Sequence, residues 1–270
     1  GGIEATVTLN DSTLEMTNGY MNLYIVGQTS TATLNDSTLK NTDGHVNLYV
    51  SGEIATATLN NCTLELHHDE DYYYNIAMEA YNQAHLMLNS TTVRTDNAYG
   101  LMMYANGDIQ LDISNSTLES SVGNSNQGIY LMASGNMNIN IEESRISHNN
   151  TIRTESNNEL NYRVVNSHFD HSNGLTNTTS GTANIYIENS TFENETELAT
   201  PSYGIQSHTT GATTFQMVNS TIANYVQDGI NLTSDESVHG EIIDSTIVGN
   251  VENGFNIDSP DTIVSLYNNL

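Results

Sequence analysis

Positive charge is nearly absent from this chain: five Lys and Arg stand against 32 Asp and Glu, a formal charge of −27. Such an excess repels phosphate backbones and anionic lipid, which argues against nucleic acid and against direct membrane contact as partners. It also repels acidic polysaccharides unless bound cations bridge them. Cysteine occurs once, at Cys62, so an intrachain disulfide framework is excluded. Only two prolines are present and the 19 glycines are spread along the chain, which leaves no long disordered tract. No run approaches the ~18 to 20 apolar residues that a membrane-spanning helix needs. The opening Gly-Gly-Ile-Glu carries neither the basic region nor the apolar core of a signal peptide.

What the chain does have is a repeat. Asn or Asp, Ser, Thr and an aliphatic or aromatic residue recur, with the last of them at Leu14, Leu39, Leu64, Val93, Leu118, Ile146, Phe169, Phe192, Ile222 and Ile247. The spacings are 25, 25, 29, 25, 28, 23, 23, 30 and 25 residues. Each unit holds three short alternating segments. One begins at this anchor. A second alternates as in Leu23/Ile25, Leu48/Val50, Leu101/Met103 and Ile129/Leu131. A third leads into the next anchor, as in Val7/Leu9, Leu86/Leu88, Leu111/Ile113 and Ile185/Ile187. Alternation with a period of two marks a strand buried on one face. Three strands per unit with turn-forming corners predict a three-sided right-handed parallel β-helix of about ten coils, an all-β array. Residues 1–270 form a single repeat domain. Stacked at ~4.8 Å per rung, ten coils make a rod roughly 50 Å long.

Taking the anchor as inward assigns the other columns. Two residues earlier run Ser12, Ser37, Cys62, Thr91, Ser116, Ser144, Ser167, Ser190, Ser220 and Ser245, an internal ladder of small side chains in which Cys62 is a serine-sized filler. Just after the anchor, and outward, come Glu15, Lys40, Glu65, Arg94 and Glu119, which alternate in sign on successive rungs. Opposite charges so placed contribute about 0.2–1 kcal/mol each. Two basic residues are thereby committed to structure, Arg145 sits on the next rung, and Arg153 and Arg163 stay uncommitted. The second segment carries an outward strip of Tyr24, Tyr49, Ala77, Met102 and Tyr130, with Val26, Ser51, Glu79, Tyr104 and Met132 two places on. The strip fades to Gln206, Asn231 and Asn256. An apolar, aromatic strip on five rungs reads either as a binding face, with Tyr24, Tyr49, Met102, Tyr104, Tyr130 and Met132 as its contact residues, or as a surface covered by a loop or by another part of the protein.

Other candidates read more simply as turns and loops. Asn41-Thr42-Asp43-Gly44 resembles one polygalacturonase motif, but the acidic pair, Gly-His-Gly and Arg-Ile-Lys that accompany it are missing, so it reads as a polar corner. His67-His68-Asp69-Glu70-Asp71, followed by Tyr72 to Tyr74, carries metal-ligand chemistry, yet contiguous ligands rarely converge on one ion. It reads as a solvated corner loop, as do the long units around Gly123–Gln127 and Glu193–Tyr203. Eleven Asn-x-Ser/Thr sequons, among them Asn89 and Asn189, arise largely from the repeat itself. No catalytic residue, metal site or cofactor is expected.

The Asn-Ser-Thr-aliphatic repeats, the Gly-Ile-x-Leu segments and the acidic, lysine-poor coils resemble the β-helical passenger domains of bacterial autotransporter adhesins, including the self-associating kind. The resemblance covers the whole chain and rests on repeat style. It implies display on the cell surface, adhesion to a host surface, matrix protein or glycan, or self-association with another β-helix in aggregation and biofilm formation. It also implies that the chain is a fragment of a longer passenger. The alternatives are a polysaccharide lyase or glycoside hydrolase on the same scaffold, and a structural subunit of a sheath or surface layer.

Overall fold

The computed structural model describes residues 2–67, 73–96, 99–120, 127–147, 150–170, 174–194 and 202–269. Its described residues form 29 strands and no helix. Every strand pairing is parallel, and the coils stack as a β-solenoid of about nine turns, one fewer than the sequence period suggests. Two sheets of 19 and ten strands make three walls. The anchor strands run from Thr13–Thr17 to Thr246–Val248 in one ten-stranded sheet. The second and third segments fill the other two walls, joined where Val46–Asn60 and Tyr74–Asn89 run unbroken around the corner between them.

Burial follows the alternation. Leu34, Leu59, Leu88, Ile141, Ile187 and Met217 share one inward column of the third wall and are fully buried. The lumen is aliphatic in the first coils and takes larger rings later, where Phe169 and Phe192 stack at 4.4 Å between centroids. Residues of the outermost coils, such as Val7, Leu9, Ile257 and Val264, are only partly buried, because each coil covers its inner face against its neighbours.

The corner from third wall to anchor wall is the same on every rung. Two residues span it, and the first has a left-handed backbone: from Asp11 to Asp244, ten such residues have φ between 45° and 52°. Eight of the ten are Asn or Asp, the side chains that tolerate this conformation; Ser90 and Glu143 are the exceptions. The second corner residue is the ladder residue. The hydroxyl of Ser144 accepts the backbone N–H of Ser116 at 3.1 Å and donates to its own strand's Glu142 carbonyl at 2.7 Å. Ser167 repeats this toward Ser144 at 3.2 Å, and Ser190 toward Ser167 at 3.1 Å. Each hydroxyl therefore closes its own turn and ties it to the coil before.

Chain-length variation is absorbed elsewhere. The connection from anchor strand to second strand holds two residues between Asp96 and Tyr99 but eleven between Glu193 and Ile205. Residues 68–72, 123–126 and 195–201, where the sequence suggests loops, belong to these connections and lie outside the described residues.

Cys62 occupies the ladder as expected. It is 2% exposed, its thiol donates to the Asn60 carbonyl at 3.2 Å, and burial pushes its pKa up. The Ser37 N–H meets this sulfur, a weaker acceptor than oxygen. Replacing Cys62→Ser restores the oxygen and is expected to raise unfolding free energy by about 0.5 kcal/mol; Cys62→Val strands the Ser37 N–H and costs about 1–3 kcal/mol. Urea midpoints of the two variants in the reverse order would contradict the ladder's role.

Candidate functional site

The aromatic strip is built by strand pairing alone. In the second wall Tyr24 is in register with Tyr49, Tyr49 with Ala77, Ala77 with Met102, and Met102 with Tyr130. The column two residues on aligns Val26, Ser51, Glu79, Tyr104 and Met132 in the same way. All six residues singled out from the sequence thus share one face on neighbouring rungs. Tyr24 and Tyr104 are the most open, at 60% and 39% exposure, and Tyr49, Met102, Tyr130 and Met132 are half-buried. Tyr24 and Tyr49 stack at 5.0 Å with planes 13° apart.

Polar groups pin the rings. The Tyr49 hydroxyl donates to Glu79 Oε2 at 2.8 Å, and that of Tyr104 to Asn106 Oδ1 at 2.8 Å. The Tyr130 hydroxyl donates to Glu155 Oε1 at 3.3 Å, and the Arg153 guanidinium lies 5.6 Å from the Tyr130 ring centre. Such contacts hold large amphipathic side chains in one orientation, which lowers the entropy lost when a partner covers them. The face also extends beyond the six residues. His45 lies 4.3 Å from the Tyr20 ring and 3.9 Å from that of Tyr73, adding an aromatic rim at the corner before the strip. The sequence carries the signal in Tyr20 and His45, each one residue before its second strand, outside the alternation that marks the strip.

The alternating charges stand where the register puts them. Glu65 lies between Lys40, at 3.9 Å, and Arg94, at 3.7 Å, and Arg94 Nε reaches Glu119 at 2.9 Å. Arg145 grips the buried Asp170 with Nε at 2.8 Å. One expectation is corrected. Arg153 and Arg163 are not uncommitted: Arg153 pairs with Glu155 at 2.7 Å and Arg163 with Glu142 at 3.9 Å. With carboxylates this numerous on the outward columns, every basic side chain comes to face one.

One weaker motif resolves as structure. Asn41 is buried and donates to the Val46 carbonyl at 3.2 Å, and Asp43 turns the chain with φ 57°, so Asn41–Gly44 is a corner. His67 ends an anchor strand and contacts Asp96 of the next rung at 2.5 Å, while 68–72 lie outside the described residues. Among the described residues no three His, Cys, Asp or Glu are grouped as metal ligands.

The outward columns of the third wall are left unassigned in the sequence, and part of them lines a cavity. Gln110, Asn138, Asn161, Arg163, Tyr186 and Gln216 help line a cavity of about 420 Å³. No family profile, curated protein or solved structure matches this chain.

Burial and the hydrogen bond to Glu79 raise the Tyr49 pKa to about 12 from the usual 10.0. A phenol that keeps its proton longer when folded contributes stability that is complete below pH 10 and is lost as pH rises toward 12. The unfolding midpoint should therefore fall less steeply with pH across this window in Tyr49→Phe than in the parent chain. Parallel pH profiles would contradict the Tyr49–Glu79 contact.

Proposed function

We propose that the chain is a non-catalytic attachment module of a cell surface, of the adhesive or self-associating kind seen in autotransporter passengers. The supporting observation is the aromatic strip of Tyr24, Tyr49, Met102, Tyr104, Tyr130 and Met132, aligned on neighbouring rungs of one flat wall. A rigid sheet presents these side chains without prior ordering, and the strip is long enough to lie against a second rod or an extended partner. The engagement of all five Lys and Arg with carboxylates also favours attachment over a lyase reaction, which needs a basic side chain directed at the substrate.

The test replaces Tyr24, Tyr49, Met102, Tyr104 and Tyr130 together with Ser. Self-association is followed by sedimentation, and attachment by binding to immobilised matrix proteins and cells. The intact rod should associate or attach, and the variant should lose this at least tenfold while keeping a strand-rich circular dichroism spectrum. Equal behaviour of the two proteins, or an intact rod that neither associates nor attaches, contradicts the proposal.

A further inference from the structure

The third wall carries two outward columns that change character along the rod. At the first rungs they are threonines, Thr6, Thr31 and Thr56 beside Thr8, Thr33 and Thr58. From the fifth rung they become amides and larger polar groups. Gln110, Asn138, Asn161 and Asn184 align in one column, and Asp112, Asn140, Arg163 and Tyr186 in the other. The space between them is the cavity of about 420 Å³. A second cavity of about 390 Å³, lined by His239, Glu241, Ile263 and Ser265, shares Thr214 and Gln216 with the first, so the two form one groove parallel to the axis. It crosses seven rungs, from Gln110 to Ile263, which at ~4.8 Å per step is roughly 29 Å.

The side chains are preset. Asn184 Nδ2 donates to Asn161 Oδ1 at 2.9 Å, and Asn161 Nδ2 to Asn138 Oδ1 at 3.0 Å, which fixes all three amide planes. This ladder leaves the Asn138 amide N–H at one end and the Asn184 carbonyl at the other without a hydrogen-bond partner among the described residues. Across the groove, the Tyr186 hydroxyl is held by Glu188 at 2.7 Å and the Asn140 amide by Asp112 at 2.7 Å. Held amides, each pairing a donor with an acceptor, and one half-exposed phenol ring suit the hydroxyls and the apolar faces of sugars.

We propose that this groove binds an extended, uncharged polysaccharide along the rod axis, one sugar per rung. Three features select this occupant. The rung spacing of ~4.8 Å is comparable to the length of one pyranose unit in an extended chain, so side chains on successive rungs meet successive sugars. Asp112, Glu142, Glu188 and Glu241 flank the groove, and its one Arg, Arg163, already faces Glu142 at 3.9 Å, so a polyanion is repelled. A peptide strand would gain its affinity from the backbone groups of a sheet edge, and here those groups are used by neighbouring rungs. The groove lies on a different wall from the aromatic strip, so this site and the attachment face can fail independently.

The experiment titrates the full chain with soluble cello-, manno- and xylo-oligosaccharides of two to seven sugars by calorimetry, with oligogalacturonate as the charged counterpart. At least one neutral series should bind, tightening with each added sugar up to about seven. Tyr186→Ser and Asn161→Ala should each weaken binding at least tenfold, while Tyr24→Ser on the other wall leaves it unchanged. Tyr186→Ser, a surface change, keeps the test valid should Asn161→Ala disturb the fold. Absence of binding by every neutral series, preference for oligogalacturonate, affinity that stops rising at two or three sugars, or retention of full affinity by Tyr186→Ser would overturn the proposal.

Discussion

Wherever the chain leaves the third wall to start an anchor strand, a backbone N–H turns away from the sheets and needs an acceptor. The next coil supplies it with a hydroxyl on most rungs, with the Cys62 thiol at Ser37 and with the Asn269 amide oxygen at Ser245, and the rest of the architecture depends on that exchange. A left-handed residue sets the turn, a serine follows it, and the serine of the next rung reaches back to the N–H. A buried N–H left unpaired costs about 1–3 kcal/mol, so this corner keeps its two-residue length and an acceptor from the next coil. Insertions collect at the anchor-to-second connection, which holds from two to eleven residues.

This constraint is why so much of the fold is legible in the residues. Asn or Asp followed by Ser marks the corner because few other pairs satisfy both a positive φ and a small inward hydroxyl. With that corner fixed, alternation identifies the lumen, and the columns of Glu15, Lys40, Glu65, Arg94 and Glu119 and of the aromatic strip follow from counting. What escaped depends on how side chains lie between columns. The pairings of Arg153 with Glu155 and of Arg163 with Glu142 join residues too varied in sequence spacing to be matched by eye. The groove was hidden for a related reason. Its signal, Asn138-x-Asn140, Asn161-x-Arg163 and Asn184-x-Tyr186, sits on the outward face of segments whose alternation identifies only the inward residues.

The two surfaces differ in physical character. The strip on the second wall is apolar and aromatic, with phenols tethered to carboxylates, and suits broad contact with another macromolecule. The groove on the third wall is concave, polar and repetitive, and suits a repetitive polar chain. Both depend on identical register from rung to rung, since a one-residue slip would turn each outward column into the lumen. A net charge of −27 surrounds them and selects against anionic partners at long range.

Amide hydrogen exchange at the ladder residues tests the inter-coil relay most directly. The N–H groups of Ser116, Ser144, Ser167 and Ser190 should be as protected as those of the strands beside them, although each follows a left-handed corner. Ser144→Ala should release the Ser116 N–H while leaving that of Ser167 protected. Rapid exchange at all four positions in the parent chain would show that the corners are open to solvent and that the coils are not joined by their hydroxyls.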